Sequence, residues 1–392
     1  MSVKISRNII YVDCTNSIDN IRIAEKSIWV DEIPKQDYNV YYLLMNDRKS
    51  KIAKDKSNNT TITRRYRSFV LSYIIFVFNL IKLIRKLNPY FIVVRNRVDL
   101  STFVFLLSKV YKFRFIYIKA FPVIESYLLR TKNTIKRLFL QLSLKWEVCI
   151  MRRTHVLIVR SEKYKEYLLE KFNVNRESII VPMGINTSMI EEIDRDEKEK
   201  LREEYTLKKP FTGIYFGAMS KGRKVDFVID ILHEVNKRAN NLDFLIVGGN
   251  EDDIERLSSY TQNKELNLHF TGTVPREKLF KLLQIADFSI SAIPPIERFI
   301  ISSPTKVFES MALKCPVLAN KEIIEQNEAI TQSEGGVLLN YNKEEYVDTI
   351  FQILDGKFNL KNMGDKGYQY VIQNRSYEKM AARIIEELEK QE

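Results

Sequence analysis

Gly213-Ile214-Tyr215-Phe216-Gly217-Ala218-Met219-Ser220-Lys221-Gly222-Arg223-Lys224-Val225-Asp226 is the stretch on which the fold turns. An apolar run over 213–217 ends in a glycine, a basic loop follows, and Val225–Arg238 continues with apolar residues at helical spacing. A strand passing through a glycine turn into an amphipathic helix is half of a βαβ unit. The pattern then repeats: strands are predicted at 242–247, 268–271, 288–291 and 316–319. Between and after them come helices at 254–261, 276–285, 304–313, 344–354 and 377–390.

Upstream of this stretch lies a charged segment, 191–209, and before it the same alternation. Strands are predicted at 8–12, 40–44, 91–94, 115–118 and 156–159, with helical stretches at 21–33 and 69–87. Strands alternating with helices imply parallel sheets. At 392 residues the chain is longer than one core usually extends. The prediction is therefore an α/β protein with two Rossmann-like, doubly wound parallel-sheet domains. They are set at 1–186 and 211–375, with a linker at 187–210 and a C-terminal helix at 376–392. Ligands of such sheets sit beyond the carboxyl ends of the strands, here expected in a central cleft that the domains face.

Composition narrows the chemistry. Cys14, Cys149 and Cys315 lie far apart and only three histidines are present, so neither a disulfide framework nor a metal cluster is expected. The apolar run 9–12 is too brief for a signal-peptide core. The longest such stretch, 69–81, is broken by Ser72 and Asn79 and falls short of a spanning helix. A cytoplasmic, reducing location without a spanning segment follows as the expectation. The net charge of +12 is unevenly placed: residues 1–185 hold 34 Lys+Arg against 15 Asp+Glu, the remainder 28 against 35. A basic half suits nucleic acid, an anionic membrane or phosphate-bearing ligands. No recognition helix or RNA-binding aromatic motif accompanies the charge, which sets nucleic acid aside.

The strongest local signal is Ser302-Ser303-Pro304-Thr305-Lys306-Val307-Phe308-Glu309-Ser310-Met311-Ala312. Ser303 suits an N-cap and Pro304 the first helical turn. Phe308, Met311 and Ala312 share one face; Thr305, Lys306 and Glu309 share another. Free amides and the helix dipole at 303–305 attract anionic oxygens, and Lys306 adds a full charge. Glu309, one turn deeper, is placed to accept hydrogen bonds from two ribose hydroxyls. An ordinary capped surface helix with a Lys306–Glu309 pair fits the same residues equally well. In the opening stretch, Gly217 permits close backbone approach, and Lys221, Arg223 and Lys224 sit where a leaving diphosphate would gather charge, or where a basic loop is simply solvated. Val247-Gly248-Gly249-Asn250 lacks the dinucleotide fingerprint and reads as a tight reversal.

Together, Phe216-Gly217, 223–226, 245–249, Phe270-Thr271-Gly272-Thr273-Val274-Pro275, Ala286-Asp287 and 303–312 with Pro316-Val317 resemble glycosyltransferase family 4, retaining enzymes with the GT-B fold. The resemblance covers most of 211–354 in order and is looser over 20–44 and 155–186. It implies a nucleotide-sugar donor as co-substrate, no cofactor and no metal. Glu309 matches the second glutamate of the family's Glu-x7-Glu motif. Thr305 and Lys306 would lie beside the phosphates with Ser303, Gly217 and Lys224 or Arg223, and Thr273 and Val274 would flank the base. Arg223, Lys306 and Glu309 are the implied catalytic set.

The departures are local. Ile301 stands at the first glutamate, with Glu297 too far upstream, and Ala218 replaces the usual arginine after Gly217. Asp13-Cys14-Thr15-Asn16-Ser17 replaces a glycine-rich loop, and Tyr117-Ile118-Lys119-Ala120-Phe121 carries no histidine. Asp13, Asn16 and Lys119 are the acceptor-side candidates, Lys119 either touching phosphate or snorkelling from its strand end.

Residues 51–153 hold 22 Lys+Arg against four acidic residues. Within them Ile135, Leu138, Phe139, Leu142, Trp146 and Cys149 follow helical spacing, with Lys132, Lys136, Arg137 and Lys145 on other faces. Such a helix suits an anionic membrane surface, which would present a lipid-linked saccharide acceptor; a core-packed helix with a solvated side is the plainer outcome. The predicted activity is sugar transfer from a nucleotide sugar to a saccharide or lipid-linked saccharide. A sugar-nucleotide epimerase of the same shape and an inactive nucleotide-sugar-binding partner are the alternatives.

Overall fold

Two all-parallel sheets organise the chain, each within its own compact unit: Met1–Pro182 with Tyr377–Glu392, and Met183–Ser376. The computed structural model describes residues 7–15, 21–45, 59–63, 68–262, 264 and 266–390; Asn16 lies outside them.

The first unit runs β1 (Asn8–Asp13), α1 (Ile23–Glu25), β2 (Asn39–Met45), β3 (Thr60–Thr63), α2 (Phe69–Leu87) and β4 (Phe91–Arg95). It continues through α3 (Val98–Leu107), β5 (Arg114–Lys119), α4 (Val123–Arg130), α5 (Thr134–Arg153), β6 (Val156–Val159), α6 (Glu162–Phe172) and β7 (Ser178–Ile180). Past α1 the chain stays helical in π and 3-10 turns to Gln36. The strand order β3-β2-β1-β4-β5-β6-β7 reverses direction between β1 and β4. Its central strands are buried along their length, which is why they read as unbroken apolar runs rather than alternating ones. α2 begins where Ser68 Oγ accepts the Leu71 amide at 3.2 Å and stops at Asn88, whose backbone is left-handed.

The second unit runs α7 (Arg195–Glu204), β8 (Phe211–Phe216), α8 (Val225–Arg238), β9 (Leu242–Val247), α9 (Glu251–Thr261), β10 (Leu268–Gly272) and α10 (Arg276–Gln284). Then come β11 (Phe288–Ser291), α11 (Glu297–Ile300), α12 (Thr305–Ala312), β12 (Val317–Asn320), α13 (Ile324–Ser333), β13 (Gly336–Leu339), α14 (Lys343–Leu354) and α15 (Leu360–Asn374). Its strand order, β10-β9-β8-β11-β12-β13, reverses between β8 and β11. The terminal α16 (Tyr377–Glu389) returns to the first unit and packs on the helical run that follows α1.

Two boundaries and one helix differ from the sequence expectation. The charged stretch 187–210 is no free linker: Ile193, Leu201 and Leu207 are buried in the second unit's core, while its charges face out. The C-terminal helix is not a separate element but part of the first unit, burying Met380, Ile384 and Leu388. α15 escapes a propensity reading because of Gly364 and Gly367, both poor helix formers. A Cβ at Gly364 would meet the Lys314 carbonyl oxygen at 2.2 Å, so these glycines let α15 lie directly against the end of α12.

Candidate functional site

The switch between β8 and β11 gathers the predicted donor residues at the carboxyl ends of the second sheet. β8 ends at Phe216, and Gly217 follows with φ 119°, a conformation L side chains avoid. Its amide donates to Val247 O at 2.9 Å, and a Cβ at the neighbouring Gly248 would strike Gly217 O at 2.4 Å. The turn after β9, expected only to reverse the chain, thus also brings its backbone against the loop after β8. Asn250 then caps α9 through the Asp253 amide at 2.8 Å.

Lys306, in the first turn of α12, points back to this glycine: a Cβ on Gly217 would lie 4.0 Å from its Nζ. The ammonium stands 3.9 Å above the centroid of the Tyr215 ring. Arg223 stands with its guanidinium 4.4 Å over Phe299. Among the described residues no carboxylate forms a salt bridge with either cation. Burial pushes the Lys306 pKa well below its ordinary value, and the charge of Arg223 pushes it further in the same direction. Burial likewise lowers the Arg223 pKa, while the Tyr215 hydroxyl beneath is pushed up to about 12, chiefly by burial. Two desolvated cations that repel each other, each resting on an aromatic face, form a place where a bound anion would relieve both.

α12 itself departs from its predicted start. The cap position is Pro304, φ −81°, with no side-chain cap, and the helix begins at Thr305. Ser303 is therefore not the N-cap. Its hydroxyl accepts the Met183 amide at 2.9 Å and donates to Glu325 Oε2 at 3.2 Å, and Glu325 is held in turn by Arg375 at 3.1 Å. Ser303 anchors the approach to the helix, while the first-turn amides at Thr305 and Lys306 carry no side-chain cap.

Glu309 is buried and paired, but with Arg276 at the start of α10 rather than with Lys306. Arg276 is the neighbour of Glu309 that the sequence reading missed. Its signal was there, an arginine opening a helix just after Thr273-Val274-Pro275, yet nothing local tied it to a residue 33 positions away. Thr273 donates its hydroxyl to Gly249 O at 2.8 Å, locking the β10 end to the β9 turn, and Val274 packs on the core. Lys224 adopts the left-handed conformation, φ 54°, ahead of α8. Ile301, at the place of the family's first glutamate, is buried, and Glu297 is exposed at the start of α11.

At the carboxyl ends of the first sheet the charges are arranged otherwise. Lys119, ending β5, is fully buried and donates to Glu147 at 2.8 Å and Glu125 at 3.3 Å, and Tyr117 donates to Glu147 at 2.5 Å. The snorkelling expectation for Lys119 is thereby corrected: its ammonium turns inward because α5 offers a buried carboxylate. Glu25 pairs with Arg95 at 2.7 Å and with Arg160, whose guanidinium also donates to Val181 O at 3.0 Å. Arg97 pairs with Asp99. Asp13 accepts the Cys14 amide at 2.7 Å, and burial raises its pKa. None of Glu25, Arg95 and Arg160 had been singled out, since each is unremarkable until the strands lie side by side.

Among the described residues, no group of three or more His, Cys, Asp or Glu could hold a metal ion, and no helix is long and apolar enough to cross a membrane.

Residues 210–356 fit the family model described as glycosyl transferases group 1. An uncharacterized glycosyltransferase of Methanocaldococcus jannaschii is 23% identical over 250 residues; the match covers 60% of this chain and about 60% of that relative's length. Among solved structures, sucrose-phosphate synthase from Thermosynechococcus elongatus superposes with TM-score 0.75 at 14% identity over 98% of both chains. Anabaena HepE in complex with UDP-glucose gives 0.74 at 13% identity over 98% of this chain and 99% of that one. WaaG, a glycosyltransferase involved in lipopolysaccharide biosynthesis, gives 0.68 at 14% identity over 95% and 98%. At such identities the likeness establishes the fold, which is GT-B.

Proposed function

We propose, from the fit of residues 210–356 to the model of group 1 glycosyl transferases, that this protein moves a sugar from a nucleotide-sugar donor to a hydroxyl of a saccharide or lipid-linked saccharide. The observation that carries the donor half is the pair Lys306 and Arg223, desolvated over Tyr215 and Phe299 beside the glycine turn at 217. When the bond between the anomeric carbon and the phosphate oxygen breaks, its electron pair leaves with the nucleoside diphosphate. Half-buried cations already seated on ring faces stabilise that charge with little reorganisation. Glu309, oriented by Arg276, would accept hydrogen bonds from the donor ribose, and Thr273 would sit beside the base. The HepE structure holding UDP-glucose makes uridine sugars the first donors to try.

Retention at the anomeric carbon and a metal-independent course are part of the proposal, as is work at the cytoplasmic face of a membrane in cell-surface or glycoprotein glycan assembly. The acceptor side is assigned to the first unit, where Asp13 stands at the end of β1. Thermal-shift titration with UDP, GDP, ADP and their sugars tests the donor half. A bound donor raises the midpoint by mass action, and a flat response across the panel at millimolar ligand overturns the reading.

A further inference from the structure

α5 is an amphipathic helix with its apolar stripe on the outside. Its C-terminal half is fixed to the first unit by buried Glu147, Val148, Ile150 and Met151. Its N-terminal half stands free, and every residue from 132 to 139 is exposed. Ile135, Leu138, Phe139 and Leu142 recur at i, i+3, i+4 and i+7, so they share one face, and they are 81%, 57%, 69% and 57% exposed. A helix that packs on its own domain turns such a stripe inward. Here the side that α5 buries is a different one, and the core-packed alternative falls. Leu129, at the end of the adjoining α4, is 73% exposed and extends the patch. Contiguous apolar surface of this kind on a folded chain marks a binding face.

What covers it follows from charge. Lys132, Lys136 and Lys145 flank the stripe, all exposed, with Arg137 on the far side of the helix, and residues 126–146 contain no acidic side chain. Beside the stripe, α5 and the end of α6 enclose a groove of about 760 Å³ lined by Leu138, Leu142 and Phe172, with Lys145, Arg152 and Lys171 outnumbering its single carboxylate, Glu170. Apolar side chains ringed by cations, with an apolar groove alongside, match the layered chemistry of an anionic bilayer surface: phosphates outside, acyl chains beneath.

We propose that the N-terminal half of α5, with the end of α4, docks this protein on an anionic lipid bilayer. Leu138, Phe139 and Leu142 enter the acyl boundary while Lys132, Lys136 and Lys145 lie at the phosphates. This deepens the lipid-linked acceptor reading and rests on it for its biological sense, but its test needs neither donor nor acceptor.

The full chain is sedimented with vesicles of equal parts phosphatidylglycerol and phosphatidylcholine, and with vesicles of phosphatidylcholine alone. Partitioning at least tenfold stronger on the anionic vesicles, weakened by 0.5 M salt, is expected. Leu138→Glu/Phe139→Glu should reduce it at least tenfold at low salt with an unchanged melting temperature, since both residues are exposed. Equal recovery in the supernatant with and without anionic lipid, or a double variant that sediments like the parent, overturns the proposal. So does a concentration-dependent dimer in ultracentrifugation that the double variant dissolves, because a second copy would then be the occupant. Nucleotide thermal shifts, which read the second unit, remain positive in the double variant if transfer is correct and only membrane docking fails.

Discussion

The two units solve the same topological problem with opposite electrostatics. Both sheets reverse strand order once, and both collect charged residues at the carboxyl ends beside that reversal. In the first unit the cations are neutralised internally: Lys119 by Glu147 and Glu125, Arg95 and Arg160 by Glu25, Arg97 by Asp99. In the second, Arg276 is paired with Glu309, but Lys306 and Arg223 rest on aromatic rings. A paired cluster fixes shape and attracts little; a desolvated cation held on a ring face remains available to an anion. The contrast suits the proposed transfer, in which the donor carries a diphosphate and the acceptor presents an uncharged hydroxyl.

The largest effect that can break this contrast is on stability. Glu147→Ala leaves Lys119 buried without its nearest counter-charge, and removing one partner of a buried pair destabilises by about 3–5 kcal/mol. Urea denaturation should register that loss, and Lys119→Met in the same chain should recover much of it. If Glu147→Ala shifts the midpoint no more than a surface substitution does, the first unit's charges are not mutually dependent and the comparison collapses.

Next comes activity. Lys306→Met removes a cation that forms no salt bridge among the described residues, so folded stability should hold or rise. Turnover should fall by about 10²–10³, the usual consequence of losing one donor to a developing oxyanion. Transfer assays on the variant, with melting temperature as control, separate the two. A large stability loss with turnover intact would make Lys306 a structural residue like Lys119.

How much of this contrast was legible beforehand depends on sequence distance. β9, β11 and the bounds of α2 and α8 follow from local periodicity alone, because buried parallel strands are continuous apolar runs and those helices carry their own stripes. β3 was invisible because Thr60–Thr63 offers no apolar run, and α15 because its glycines serve a contact with α12 rather than a local preference. In the site, Gly217, Arg223, Lys306 and Glu309 were legible from the order of motifs along 211–354. Arg276 opposite Glu309, and Arg95 and Arg160 on either side of Glu25, were not. Each of these contacts joins residues on different elements, and no periodicity within one segment encodes them. The N-cap went wrong for a related reason: Ser303 has the chemistry of a cap, but the Met183 amide and Glu325, both distant in sequence, take its hydroxyl.

A milder test uses pH, and here the two readouts should move in opposite directions. The folded pKa of Lys306 is depressed, so between that value and the ordinary lysine range the unfolded chain holds the proton and the folded chain does not. Stability contributed by this site therefore rises with pH across that window and is lost as pH falls through the folded pKa. Nucleoside diphosphate binding prefers the ammonium, so its Kd should weaken about tenfold over the same rise, one pK unit of coupling corresponding to a factor of ten. Calorimetric titrations at several alkaline pH values check this. In Lys306→Met both dependences should vanish, and a Kd that stays level across the window in the parent chain removes Lys306 from the diphosphate.

The smallest expected effect probes a single hydrogen bond between two donor-side loops. Thr273 Oγ1 donates to Gly249 O at 2.8 Å, and this bond joins the loop after β10 to the turn after β9. Thr273→Val keeps the shape and removes the donor. Thr273 is exposed, so water can replace the lost partner and the net effect should be about 0.5–1.5 kcal/mol, the usual worth of one such bond. If the loop's task is to set the base, that loss should appear as a several-fold rise in donor KM with kcat nearly unchanged, since uniform binding has been weakened and no charge in the transition state has been touched. A fall in kcat with KM constant would instead put Thr273 in the chemistry, and the donor side would then depend on polar contacts well beyond its two ring-seated cations.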